Sequence, residues 1–216
     1  MFLGHFGVGL AAKKIAPKSS LGLLLAAAQW LDILWPLFLI LGMEHVRITP
    51  NWTKVTPLEF YDYPLSHSLL MVCFWALLWG LVAYGLKANW KICLILPGLV
   101  LSHWILDLLV HRPDLPLSPR SFTVLGLGLW NSPLWTLGLE FGLFLAGFAV
   151  YISSTKAKDG IGAVGPWVLG TLLVGLYIGN LFSPPPPSPD FVAWVTLSLW
   201  LIFPLAHWID KHRNSL

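Results

Sequence analysis

Six apolar segments, each long enough to cross a lipid bilayer as a helix, constrain the fold of this chain more than any other feature. A membrane-spanning helix needs about 20 mostly apolar residues. The segments lie at 20–42, 65–86, 91–111, 133–153, 161–182 and 190–209, after a shorter apolar stretch at 2–12. Charged residues make up only 11% of the chain, against about 25% in soluble domains. The sequence therefore predicts an all-α polytopic membrane helix bundle with six transmembrane helices plus a short N-terminal helix, in a single membrane domain of residues 1–216.

The basic residues predict how this bundle is oriented. Six spans would leave nine of the 13 Lys and Arg residues on one side of the membrane and four on the other. The positive-inside rule assigns the richer side to the cytoplasm, so the N- and C-terminal sides would be cytoplasmic. The loops at 43–64, 112–132 and 183–189 would then face outward. The net charge of +3 is small and scattered along the chain, which argues against nucleic acid as a main partner.

A stripe of ionisable residues lies at the end of the third segment. His103, Asp107 and His111 recur every four residues, so a helix would align them along one face. Ionisable groups within a spanning helix usually pair with one another, line water or bind an ion. This stripe is therefore the first candidate for a functional site.

Three other segments are expected to bring ionisable residues to the same depth. The turn signal at 17–20 predicts a helical hairpin that brings His5 and Asp32 level with each other. Both residues are about 12 positions from the turn, which corresponds to roughly 18 Å of helix. His103 lies at a similar distance from the cytoplasmic start of its own segment, and His67 opens the second segment from the outer side. We expect these side chains to meet in the outer half of the membrane.

Imidazole and carboxylate groups gathered at one depth suit zinc, manganese or iron. The predicted metal ligands are His5, Asp32, His67, His103, Asp107 and His111. Each also has a structural alternative, such as an interfacial position for His5 or an internal hydrogen-bonded pair of His103 with Asp107. Their joint depth favours a metal site over these separate explanations.

Two acids are candidate general bases. Glu140 lies about 10 Å into the fourth segment from its outer side, and Asp62 lies shortly before the second segment. A hydrogen-bonded packing role is the alternative for Glu140. The candidate substrate-binding residues in the outer loops are Arg112, Asp114, His45 and Arg47. Simple anchoring at the membrane interface is the alternative for Arg112 and Asp114.

The two parts of the chain are expected to play different roles. Residues 1–140 would form the metal-site half, whereas 141–216 have few ionisable groups within their spans and would supply packing helices. Two small-residue motifs are expected to allow close helix contacts: Gly138-x-x-x-Gly142 and Gly175-x-x-x-Gly179.

Two further local features carry structural expectations. Pro36 should bend the first span at Asp32, because a proline frees the carbonyl four residues before it. The segment 206–210, which ends in Asp210, is interpreted as an anchor at the cytoplasmic interface.

Several of these motifs resemble those of the YdjM-like bacterial inner-membrane metal-dependent hydrolases. The motifs are His5 before a helical hairpin, Leu31-Asp32, Ser66-His67-Ser68 and Ser102-His103-x-x-x-Asp107. The order of the ligands is also similar to that of the zinc-dependent phospholipase C and P1 nuclease superfamily, which is helical and cleaves phosphodiesters. The resemblance covers roughly residues 1–140.

The resemblance implies a set of zinc ligands. The residues that would hold one zinc ion are Asp32, His67, His103 and Asp107. His5 would join Asp107 at a second ion, and His111 and Glu140 would be remnants of a third site. The resemblance also implies a bacterial inner membrane as the location, with the site toward the periplasm.

The expected function is a membrane-embedded hydrolase with one or two divalent metal ions, zinc by the resemblance. It would act at the outer face on a phosphoester or lipid-linked ester, with membrane lipid as its surroundings and possible substrate. The alternative is a non-catalytic metal-binding or structural subunit of a homo-oligomer or larger membrane complex. A transporter is a third hypothesis, which the absence of an inverted repeat disfavours.

Overall fold

The computed structural model describes residues 1–216 and consists mainly of helices, which confirms the all-α prediction. The ten α-helices are α1 (Leu3–Ile15), α2 (Leu21–Ala28), α3 (Trp30–Ile40), α4 (Pro64–His67), α5 (Leu69–Gly85), α6 (Trp90–Val110), α7 (Pro133–Ser153), α8 (Gly160–Phe182), α9 (Pro189–Ser198) and α10 (Ile202–Lys211). Two short 3-10 helices occur at Leu129–Asn131 and Leu199–Leu201.

Five short strands in the connections and a sixth after the last helix form three separate antiparallel pairs. The pairs are β1 (His45–Ile48) with β2 (Leu58–Asp62), β3 (Leu115–Pro116) with β4 (Val124–Leu125), and β5 (Thr155–Ala157) with β6 (Arg213–Ser215). The first pair is a hairpin between α3 and α4, with Arg47 opposite Glu59. The third pair joins the end of α7 to the C-terminal segment.

Four helical segments are long and apolar enough to cross a membrane: α6, α7, α8 and the stretch Pro189–Lys211, which contains α9 and α10. A fifth candidate is broken, because α2 and α3 meet at an angle of 62°. The second predicted span is represented by α5, which has 17 residues. Ser68 separates α5 from α4 and caps α5 by accepting a hydrogen bond from Met71 N. Six continuous spanning helices are therefore not confirmed, whereas a set of membrane-length helices is.

The bend in the first predicted span falls at Gln29 and not at the predicted position. α3 continues through Pro36 without a break. The carbonyl of Ala28, the last residue of α2, accepts a hydrogen bond from His103 Nδ1 at 2.8 Å. The prediction of a bend at Asp32 is therefore wrong, because the chain turns three residues earlier, where α6 supplies a partner for the backbone.

Helix α1 lies at the centre of the bundle and packs against α2, α6 and α7. The predicted hairpin of α1 and α2 is present, and Ser20 caps α2 by accepting a hydrogen bond from Leu23 N. The contact of α1 with α7 is so close that a side chain at Gly7 would overlap the backbone of Leu143. A side chain at Gly147 would overlap the backbone of Gly7 in the same way. Small residues therefore allow the closest helix approach at this interface.

The two glycine motifs predicted to pack closely do not do so. A Cβ atom built on Gly138, Gly142, Gly175 or Gly179 would meet nothing within 4 Å. The first two glycines lie on an exposed face of α7. The other two line a cavity beside α8. Both motifs have the spacing typical of a helix-packing motif, but the tertiary structure places no helix against either of them.

A buried polar network joins the C-terminal end of α1 to α7 and α10. We call it the lysine cluster, and its members are Lys13, Tyr151, Asp210 and Arg213. Lys13 Nζ donates to Asp210 Oδ2 at 2.6 Å and to the carbonyl of Ser19 at 2.8 Å. Tyr151 donates to Asp210 Oδ1 at 3.1 Å, and Arg213 donates to backbone and hydroxyl oxygens. Asp210 is therefore a buried ion-pair partner, so the interfacial role predicted for the segment 206–210 does not apply to its side chain.

Candidate metal site

Five of the six predicted ligands converge near the N-terminal end of α1. We call this group the histidine cluster; it consists of His5, Asp32, His67, His103 and Asp107. They come from α1, α3, α4 and α6. The potential ligand atoms form two overlapping groups that could each hold a metal ion, one with His5, His103 and Asp107 and one with Asp32, His67 and His103. Within each group these atoms lie within 4.8 Å of one another.

Four of the separations between the imidazole nitrogens and carboxylate oxygens are close to those around a single ion. His103 Nε2 is 3.1 Å from Asp107 Oδ2 and 3.7 Å from Asp32 Oδ1. His67 Nε2 is 3.7 Å from the same two oxygens. Ligands around a tetrahedral zinc ion lie about 3.3 Å apart, given metal–ligand distances of about 2.0–2.1 Å. Each of the two nitrogens therefore lies at a distance from both oxygens that is close to the ligand spacing around one divalent ion.

Unpartnered nitrogen atoms support the same interpretation. His103 Nε2 and His5 Nδ1 are buried and make no well-aligned hydrogen bond, although Asp107 Oδ2 lies 3.1 Å from His103 Nε2. The two imidazole rings stack with centroids 3.6 Å apart and an angle of 8°. His5 Nε2 lies 3.1 Å from Asp107 Oδ1, so one oxygen of this carboxylate faces His5 while the other faces His67 and His103. A buried ring nitrogen without a partner is costly unless it binds something, and a metal ion would satisfy His103 Nε2.

His103 is oriented by the break between α2 and α3. Its Nδ1 donates to the carbonyl of Ala28, which leaves the lone pair of Nε2 directed toward Asp32 and Asp107. Metal-binding histidines commonly donate their other ring N–H to a carbonyl or carboxylate, which selects the ring tautomer. The turn at Gln29 therefore holds His103 in an orientation that a metal ligand would require.

His67 is oriented by two residues that the sequence analysis did not assign to the site. Its Nδ1 lies 2.7 Å from Ser66 Oγ, which donates to Glu44 Oε2 at 2.6 Å. Glu44 Oε1 also accepts hydrogen bonds from the backbone nitrogens of Leu65 and Ser66. Burial raises the pKa of Glu44, while these hydrogen bonds oppose the increase. Because the hydrogen bond with Ser66 engages Nδ1 of His67, its Nε2 is left free for an ion.

The proximity of Ser66 to His67 could be predicted from the sequence, whereas that of Glu44 could not. Ser66 stands beside His67 within a recognised motif, so its proximity could have been noticed. Glu44 lies 22 positions before Ser66 in a polar loop. No local spacing rule links the two, and only the folding of the hairpin β1–β2 brings them together.

Glu140 lies near the cluster and is engaged by the start of α1. Its carboxylate accepts hydrogen bonds from Gly4 N at 2.8 Å and from Phe2 N at 2.9 Å. It is buried and lines the same cavity as Asp32. Asp62, the other candidate base, pairs with His45 at 2.8 Å on the exposed hairpin and is not brought into the cluster.

His111 stands apart from the other predicted ligands. Its Nδ1 lies 2.9 Å from Asp114 Oδ1, and its ring packs against Trp130 with centroids 4.2 Å apart. Tyr63 donates to Asp114 at 2.8 Å, and burial raises the pKa of Tyr63 well above its ordinary value. His111 lines the cavity wall but belongs to neither ligand group.

The predicted substrate-binding cations contact neighbouring loops instead of the cluster. Arg112 donates to the carbonyl of Trp52 and lies over its ring, 4.3 Å from the centroid. Arg47 lies over the ring of Tyr61, 4.1 Å from the centroid. Neither arginine lines the cavity described next.

A cavity of about 860 Å³ opens beside the histidine cluster. Asp32, His67, Asp107 and Glu140 line one end, and apolar residues of α8 and α9 line the other. The side chain of Asp32 is 33% exposed, whereas those of His103 and Asp107 are almost completely covered. Asp32 is therefore the most exposed of the ligand candidates that line the cavity.

No known protein family, curated protein or solved structure matches this chain. The fold and the site themselves define a class: a helical protein with membrane-length helices and a buried His/Asp group that could hold a metal ion.

Proposed function

We propose that the protein is a membrane-embedded, metal-dependent hydrolase that acts on a phosphoester or a lipid-linked ester. The observation that carries the proposal is the convergence of two imidazoles and two carboxylates: His67 Nε2 and His103 Nε2 each lie 3.1–3.7 Å from an oxygen of both Asp32 and Asp107. The large cavity against this group supports access by a substrate. Zinc is the proposed metal, because two imidazole nitrogens and two carboxylate oxygens are among its usual ligands.

The site residues have distinct roles in this proposal. A divalent ion held by the cluster would polarise the ester and lower the pKa of a water molecule. Ser66 and Glu44 keep His67 in the tautomer that a metal ligand requires. Glu140 accepts two backbone hydrogen bonds and retains lone pairs, so it can receive a proton within the cavity. Asp32 faces the cavity and borders the position of the reacting group.

The membrane arrangement is part of the same proposal. We propose that α2 and α3 together, and α5, complete six crossings of a bacterial inner membrane. The N- and C-terminal sides would be cytoplasmic, as the distribution of basic residues favours. The histidine cluster would then open toward the periplasm.

A second candidate function is a metal-binding subunit without catalytic activity. The hydrogen bonds of Glu140 to Phe2 and Gly4 favour it, because they give the only nearby candidate base a structural role as a helix cap. Hydrolysis of a chromogenic phosphodiester in detergent would separate the two candidates. Under the hydrolase proposal, Glu140→Gln abolishes turnover while metal content is retained.

Elemental analysis of protein purified without chelator tests the metal site directly. We expect one to two equivalents of zinc in the wild type and less than one in His103→Ala. The matched control is His45→Ala, which removes an imidazole outside the cluster and should leave the metal content unchanged. Wild-type protein without any divalent metal after incubation with zinc would rule out the proposed function.

A further inference from the structure

The cavity has two chemically different ends. Near the histidine cluster it is lined by carboxylates and imidazoles, whereas the lining from α8 and α9 is mainly leucine, valine and phenylalanine, with Tyr177, Asn180 and Thr196 as the polar members. Its volume of about 860 Å³ lies within the range of about 300–1,000 Å³ that is usual for sites of small molecules. A ligand that fills it must be amphiphilic.

The apolar end is an open space between helices. Helix α9 packs against α3, and α10 packs against α8 and α2, whereas α8 and α9 lie on different sides of the cavity. Gly175 and Gly179 lie one turn apart on α8 and both line the cavity. A Cβ atom at either position would meet nothing within 4 Å. The glycine stripe therefore widens the cavity and does not seat another helix.

A hydrocarbon chain is the occupant that fits this end. Water finds few partners on an apolar wall, and apolar cavities stay dry and accept apolar ligands. Leu172, Leu176 and Val195 line the cavity and are exposed, so the wall is continuous with a surface that membrane-length helices present to lipid. A lipid chain can enter from the side without crossing a polar layer.

We propose that the cleft between α8 and α9 binds one acyl chain of a membrane phospholipid whose phosphate ester lies at the histidine cluster. This inference rests on the proposed function and names its substrate class. It also gives residues 161–203 a role in substrate binding, where the sequence predicted only packing helices.

Photocrosslinking in vesicles tests this inference. The full chain is reconstituted in vesicles of phosphatidylethanolamine and phosphatidylglycerol, in which the phosphatidylglycerol carries a diazirine in one acyl chain. After irradiation, the adducts are located by peptide mass spectrometry. We expect adducts at cavity-facing positions such as Leu176, Val195 and Phe203. Adducts confined to the outer faces of the other helices would overturn the inference without any variant.

Matched glycine variants sharpen the test. Gly175→Leu and Gly179→Leu place side chains in the cleft and should lower the adduct yield on α9 by about tenfold, because the added volume displaces the chain. Gly138→Leu and Gly142→Leu add the same side chain where the space is equally open but outside the cavity. The yield on α9 should not change in these controls. An unchanged yield in the α8 variants would count against the cleft.

Metal content measured on the same samples separates the two proposals. Normal zinc content without adducts in the cleft would refute the acyl-chain site and leave the metal site intact. Adducts in the cleft of a protein that never binds metal would support a lipid site and refute the hydrolase.

Discussion

Helix α1 carries a buried polar cluster at each end, and the two clusters are built differently. At its C-terminal end, Lys13, Tyr151, Asp210 and Arg213 hydrogen-bond to one another or to backbone carbonyls. At its N-terminal end, the histidine cluster contains two buried ring nitrogens that make no well-aligned hydrogen bond. Both clusters contain charged groups within an apolar bundle, but only the second opens onto a large cavity.

This difference separates a satisfied polar network from a group that could hold a metal ion. A buried polar network whose members are all satisfied holds its helices in one arrangement. An incompletely satisfied network is unfavourable unless a ligand completes it. The lysine cluster fastens α10 and α7 to the hairpin of α1 and α2. The histidine cluster has the residues and spacing to hold a metal ion.

The largest expected effect is a loss of stability when the lysine cluster is disrupted. Lys13→Met leaves the carboxylate of Asp210 buried without its cation, which should cost about 3–5 kcal/mol in the free energy of unfolding. Metal content should not change. Denaturant unfolding in detergent measures the first quantity and elemental analysis the second. Lys14→Met is the matched control, because Lys14 is the next residue and is exposed. A loss of metal in Lys13→Met at unchanged stability would reverse the roles assigned to the two clusters.

The next largest expected effect is a loss of metal affinity when a residue of the histidine cluster is replaced. Asp107→Asn removes the carboxylate that faces His5, His67 and His103. Zinc affinity should fall by at least about 100-fold, or ~2.7 kcal/mol, in a titration with a competing chelator. Asp114→Asn, at an acid outside both ligand groups, should bind zinc as the wild type does. Equal zinc affinity in the two variants would contradict the assignment.

A smaller loss of zinc affinity is expected when the hydrogen bonds that orient His67 are removed. Ser66→Ala removes the hydroxyl between His67 and Glu44, and zinc affinity should fall by about 10- to 100-fold. Ser68→Ala should instead cost about 1 kcal/mol of stability, because Ser68 caps α5, and zinc affinity should not change. If both variants bind zinc normally, the hydrogen-bonded chain does not tune the ligand.

The smallest effect concerns pH and lies far from the metal site. The backbone N–H of Gly162, and then His212, lower the pKa of Asp159 below its ordinary value of 3.8. Because the pKa of Asp159 is lower in the folded than in the unfolded state, its ionised form stabilises the fold at pH values above 3.8. This contribution is lost as the pH falls through the folded-state pKa. Metal-free Asp159→Asn should unfold slightly more easily than the wild type at pH 7, and their thermal midpoints should converge under acid conditions. A constant difference between the two thermal midpoints from neutral to acid pH would contradict the stabilising role assigned to ionised Asp159.

Much of the site could be inferred from local spacing. The i, i+4 relation of His103 and Asp107 aligns them on any helix, and the turn at 17–20 brings His5 level with Asp32. The same reasoning failed where the outcome depended on a distant partner. Gly138 and Gly142 have the spacing of a packing motif, but the close helix contact occurs at Gly7 and Gly147 instead.

The amino-acid sequence by itself determined that the chain forms apolar, membrane-length helices and that a few histidines and acids are buried among them. Hydropathy and helical periodicity are properties of neighbouring residues, so they can be read without coordinates. The tertiary structure alone decided that the chain breaks at Gln29, that Glu44 reaches His67 through Ser66, and that α8 and α9 leave a cleft beside the cluster. Each of these depends on contacts between residues far apart in the chain, and no local pattern encodes which distant backbone or side chain will satisfy a buried polar group.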